Sequence, residues 1–151
     1  MQLNRQWIER HIPHAGRMCL LDEVLEWDAN RIQCLSATHR DLDNPLRVNS
    51  TLGSACGIEY AAQAMAVHGA LIANQNSESA PQIGYIAAVR SVSLLVPRLD
   101  DVREDLLATA TRVHSDASTA LYEFVLESRP PQTSGGNRLL LRGRVTLVFP
   151  S

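Results

Sequence analysis

The sequence contains no lysine; all 14 of its basic residues are arginine. That absence excludes Schiff-base chemistry and a phosphate loop of the Walker type, since both need a lysine ammonium. Cysteine is scarce as well, and Cys19, Cys34 and Cys56 form neither a CxxC pair nor a metal-ligand spacing. A disulfide framework or a zinc ribbon is therefore not expected. The thiols read as buried apolar groups in a reducing cytoplasm. No dense basic block occurs and the formal net charge is −2, so no nucleic-acid partner is expected. Without a Gly-rich phosphate loop, a dinucleotide fingerprint or a ligand cluster, no cofactor and no metal are expected either. The opening MQLNRQWIERHIPH lacks the apolar core of a signal peptide. The longest stretch free of acids and arginine, Tyr60 to Ser77, is broken by Gln63, His68, Asn74, Gln75 and Asn76. It predicts a buried helix, with no membrane span.

What is present describes an ordinary globular chain, 45% apolar and 20% charged over 151 residues. That length suits one domain, residues 1–151, with a core of its own. Leu3 to His11 predicts a short amphipathic helix stopped by Pro13. Met18 to Trp27 and Arg31 to Thr38 predict two strands across the turn Asp28-Ala29-Asn30. A polar loop, His39 to Ser54, leads to a long helix over Ala55 to Asn74 with Ser54 as its N-cap. Its seven alanines occupy almost every face, which requires a surface that wraps the helix closely, such as a curved sheet. After a loop at Gln75 to Gln82 the apolar period becomes two. Gly84 to Val96 predicts a strand ended by Pro97. Asp105 to His114 and Thr119 to Ser128 predict a hairpin, and Arg138 to Phe149 a last strand beyond the loop Arg129 to Asn137. The class is α+β, an antiparallel sheet against one long helix.

Glu59 is the only carboxylate on that helix. Buried and ionised it would be costly, so it should have either a raised pKa or dedicated partners, as active-site acids do. The competing reading turns it to solvent near the helix start, where the macrodipole favours an acid. Gln63 lies one turn later on the same face, placed to orient a reacting group or to make an interface contact. His68 is off that face and reads as a core or interface histidine. His14, before the first strand, and His39, at the end of the second, are the other imidazoles that chemistry could use. His11 and His114 read as surface residues. At the helix start, the amides near Cys56 and Gly57 are placed for a developing oxyanion, with Gly57 allowing close approach of substrate.

These residues resemble a known family. Pro13-His14 followed by Met18 to Trp27 (MCLLDEVLEW) resembles the "PH…LLVDRVLE" stretch of FabZ-type 3-hydroxyacyl-carrier-protein dehydratases. Glu59 to Ala64 (EYAAQA) resembles their "EAMAQA" helix, and Tyr85 to Arg90 (YIAAVR) their "YLAGID" strand. The runs His39-Arg40-Asp41, Asn44-Pro45-Leu46-Arg47 and Gly57 to Ala66 are similar to the aryl-polyene-pathway branch of dehydratase-like proteins. The resemblance implies a hotdog fold, a sheet wrapped around the helix, dimeric, with active sites at the dimer interface. It implies dehydration of 3-hydroxyacyl thioesters on an acyl carrier protein, in fatty-acid or polyene-type biosynthesis. Glu59 would be the general acid, a histidine the base, and the Ala88 amide a thioester-oxygen donor. The family's histidine lies in a "GHFPxxPxxPG" loop, and counting back from Glu59 places it at Pro45. Arg40 to Ser54 contains no histidine at all. Either His14 or His39 takes that role, a partner subunit supplies it, or the chain is a non-catalytic subunit. A hotdog thioesterase, with Glu59 activating water, is the other enzymatic reading. The partner is a second copy or a related hotdog subunit.

Overall fold

Helix α1, Arg5–His11, begins where the Asn4 side chain accepts the Trp7 N–H at 3.1 Å, which starts it later than the apolar pattern alone predicts. It ends at Ile12, because the residue before a proline is driven out of the helical region. The computed structural model describes residues 2–77, 83–130 and 135–150. The predicted loops at Gln75 to Gln82 and Arg129 to Asn137 therefore lie partly outside the described residues.

The strand expected from Met18 starts later. Gly16 adopts φ +59° and opens a 3-10 turn, Gly16–Met18, after which Cys19, Leu20 and Leu21 are all buried. Regular strand pairing begins only at β1, Glu23–Trp27. β2, Arg31–Ser36, follows a turn in which Asp28 Oδ1 accepts the Asn30 and Arg31 amides at 2.8 and 2.9 Å. The long helix α2 spans Gly57–Gln75, preceded by a 3-10 turn, Ser54–Cys56. Ser54 is buried in that turn and makes no capping bond, contrary to its expected role.

The remaining strands are β3, Tyr85–Leu94, β4, Asp105–Ser115, β5, Thr119–Arg129, and β6, Arg138–Val148. All pairs are antiparallel, in the order β1-β2-β4-β5-β6-β3. Along β5 the inward set Ala120, Tyr122, Phe124 and Leu126 is buried, as the period of two predicts. α2 packs on that face against β2, β4 and β5, through Tyr60, Ala61, Ala64, Val67 and Leu71. Each large apolar side chain fully buried there contributes about 1.5–3 kcal/mol. β3 lies at one edge of the sheet, with the apolar Tyr85 57% and Leu95 55% exposed there. Among the described residues no helix is long and apolar enough to cross a membrane.

Candidate active site

Glu59, Ala62, Ala66, Gly69 and Ala73 are spaced along α2 so that they form one stripe. This stripe is one wall of a cleft of about 820 Å³. Pro13 and His14 come to it from the segment after α1, Tyr85 and Ile86 from the start of β3, and Ala120 and Tyr122 from β5. The fold thus brings His14 and Glu59 to one cavity from positions 45 residues apart (59 − 14).

Glu59 is exposed, and no hydrogen bond or ion pair to it occurs among the described residues. The partners expected for a buried acid are not found among the described residues. His14 is half-buried, and its Nδ1 is shut off from solvent without a hydrogen-bond partner. His11, expected at the surface, reaches the rim of the same cleft, stacked 3.8 Å from the Trp7 ring with Nδ1 2.7 Å from the Trp7 carbonyl.

His39 is placed otherwise. It is fully buried, and its Nε2–H donates to the Val102 carbonyl at 2.9 Å. A carbonyl only accepts, so that bond assigns the proton to Nε2. Burial lowers its pKa, and it does not line the cleft. The loop it begins is organised by its own bonds. Asn44 Nδ2 donates to the Thr38 carbonyl and Tyr60 hydroxyl at 2.9 and 3.0 Å, and Arg47 Nη2 to the His39 carbonyl at 3.2 Å. At its tip Asn49 and Ser50 take φ 52° and 65° in a tight turn between Val48 and Thr51.

Gln63 spends both ends of its amide on backbone. Oε1 accepts the Leu20 N–H at 2.8 Å and Nε2 donates to the Met18 carbonyl at 2.7 Å. It holds the 18–20 segment on α2 and is not free to orient a reacting group with Glu59. The helix-start amides are engaged too, because the 3-10 turn extends the helix backward: the Cys56 N–H donates to the Gly53 carbonyl at 3.0 Å, and the Gly57 N–H to Ser54 and Ala55. A Cβ on Gly57 would lie 2.7 Å from Leu141 Cδ2 and 2.8 Å from Leu126 Cδ2. The glycine serves the helix–sheet contact rather than substrate approach. Ala88 sits on the edge strand opposite Thr146, outside the cleft lining.

The site residue that sequence reading missed is Tyr122. His68 is buried on α2, where its Nε2–H donates to the Asp28 carbonyl at 2.8 Å and its Nδ1 accepts the Tyr122 hydroxyl at 2.6 Å. Burial lowers the His68 pKa and pushes Tyr122 up to about 12. The alternation of β5 points Tyr122 inward, but only the packing of α2 on β5 reveals the pair and its place in the cavity wall. Among the described residues there is no group of acids, histidines and cysteines able to hold a metal.

A family model described as ApeP-like, ApeP dehydratase, matches residues 6–151. No curated relative matches the sequence. The dehydratase heterocomplex ApeI:P from Xenorhabdus doucetiae is a similar solved structure, with TM-score 0.81 and 22% identity over 95% of this chain and 91% of that one. Zebra fish thioesterase superfamily member 2 superposes with TM-score 0.59 at 15% identity, over 97% of this chain and 95% of that one. The E. coli PaaI protein gives 0.56 at 14% identity, over 83% and 80%. At these identities the structural likeness establishes the fold, which is the hotdog.

Proposed function

Because this chain belongs to the ApeP-like dehydratase family, we propose that it takes part in removing water from 3-hydroxyacyl thioesters carried on an acyl carrier protein. The observation that carries this reading is the cleft shared by His14 and Glu59. In the proposed reaction the His14 imidazole takes a proton from C2 of the acyl group. The Glu59 carboxyl gives a proton to the 3-hydroxyl, the C3–O bond breaks, and water leaves as the C2–C3 double bond forms. The lost C2 proton ends on the imidazole and the Glu59 proton on water, so each group must be reset before the next turnover.

We further infer that the site is completed by a second hotdog subunit, related or identical, joined along the free apolar edge of β3. An exposed apolar edge strand otherwise invites uncontrolled association. The solved similar protein is itself part of a heterocomplex by its own description. The absence of a histidine from Arg40 to Ser54 and the unpartnered Glu59 carboxylate support a partner that contributes to the site. Purified chain should be at least dimeric by light scattering, alone or with such a subunit. It should dehydrate 3-hydroxybutyryl thioesters, and Glu59→Gln should slow this about 10²–10⁴-fold without loss of fold. Near-native turnover in Glu59→Gln would remove the acid from the mechanism. Release of free thiol without an enoyl product would identify a thioesterase. Turnover by the partner alone at the rate of the pair would make this chain a non-catalytic subunit.

A further inference from the structure

Two glycines lie in α2, and only one is explained by its neighbours. Leu126 and Leu141 leave no space for a side chain at Gly57, but a Cβ on Gly69 would meet no atom within 4 Å. Glycine in a helix interior is less stable than alanine there, so its presence at 69 answers to something other than packing within this chain. Gly69 is half-buried in the cleft wall between Ala66 and Ala73, in a cavity that Tyr122 and Leu147 also line. We propose that Gly69 keeps the cleft open for a long acyl chain and so sets the chain length that the site accepts. The proposal rests on the dehydratase reading and names its substrate as a long, extended acyl thioester.

The distances are consistent with that role. Gly69 follows Glu59 by ten residues (69 − 59), about 15 Å along the helix axis. An extended chain advances about 1.2 Å per bond, so an acyl group reacting beside Glu59 reaches Gly69 about a dozen atoms farther on. The lining on this side, Ala62, Ala66, Ile72 and Ala73, is apolar, as a hydrocarbon requires. A helical side chain covers the turn before its own Cα, so a leucine at 69 would project over Ala66 and block the passage.

The test uses the full chain, with its partner subunit if turnover needs one. Binding of palmitoyl- and butyryl-pantetheine is measured by calorimetry, and dehydration with the 3-hydroxypalmitoyl and 3-hydroxybutyryl thioesters. Gly69→Leu should lower the long-over-short ratio about tenfold or more in both assays. Gly69→Ala should lower it less while raising Tm, which shows that the effect is not a folding defect. An unchanged ratio overturns the proposal, and so does dissociation of the assembly in Gly69→Leu, which would make the glycine a subunit contact. Long-chain binding governed by residue 69 in a protein that dehydrates nothing would sustain the channel and defeat the dehydratase reading. Dehydration indifferent to residue 69 would do the reverse.

Discussion

Gly57→Ala tests whether the start of α2 is set by the sheet or by a substrate. An added Cβ would sit 2.7 Å from Leu141 Cδ2, 2.8 Å from Leu126 Cδ2 and 3.0 Å from Leu141 Cδ1, where ordinary contact begins at 3.4 Å. Both leucines are 0% exposed, so neither can swing aside into solvent. The helix must lift or the leucines must leave their preferred rotamers. Overpacking of this kind destabilises by about 1–3 kcal/mol. Alanine's better helix propensity returns about 0.5–1 kcal/mol of that. The net loss is up to about 2.5 kcal/mol, or up to about 10 °C in Tm for a chain of this size. Thermal melts by circular dichroism at one fixed protein concentration measure it, with urea midpoints at unchanged slope as the check on two-state behaviour. Gly69→Ala is the internal control, because the same substitution where nothing is met should raise Tm. If Gly57→Ala were as stable as the parent, the helix–sheet contact would not be the reason for this glycine. Substrate approach would then regain its place as the explanation.

Other perturbations separate positioning from chemistry. Gln63→Leu leaves the Leu20 N–H and the Met18 carbonyl without partners and should destabilise by about 1–3 kcal/mol, read as a shifted urea midpoint. His14→Ala should cut dehydration about 10²-fold or more with little change in Tm, whereas His39→Ala should lower Tm with turnover largely retained; the opposite pattern would transfer the base to His39. Asp100 accepts the Leu52 N–H at 2.8 Å and pairs with Arg98, so Asp100→Ala should destabilise the strap before α2 by about 1–3 kcal/mol. Burial lowers the pKa of both His39 and His68 below the ordinary 6.5, so the unfolded chain binds protons that the native state does not. Their contribution to stability is complete above that value and is lost as the pH falls below it, and a Tm that rises on acidification from neutrality would refute the assignment.

The sequence by itself determined the element order, the α+β class and the inward residues of β5, because those depend on local periodicity and turn chemistry. Asp28 and Asp116 set their turns through neighbouring amides, and a single run of residues contains that information. It also determined that Glu59 is the one acid on the long helix. It did not determine which residues meet. Gln63 looks equally suited to a substrate or to backbone, and only the approach of Met18 and Leu20 decides for backbone. Gly57 and Gly69 are alike in sequence; one is pressed on Leu126 and Leu141 and the other faces open space. His14 and His39 carry the same ring, but one reaches the cleft and the other is enclosed against Val102. Burial and cavity shape are sums over contacts between distant segments, and no local pattern encodes such sums. The register that places Tyr122 beneath His68 was therefore decided by tertiary packing alone.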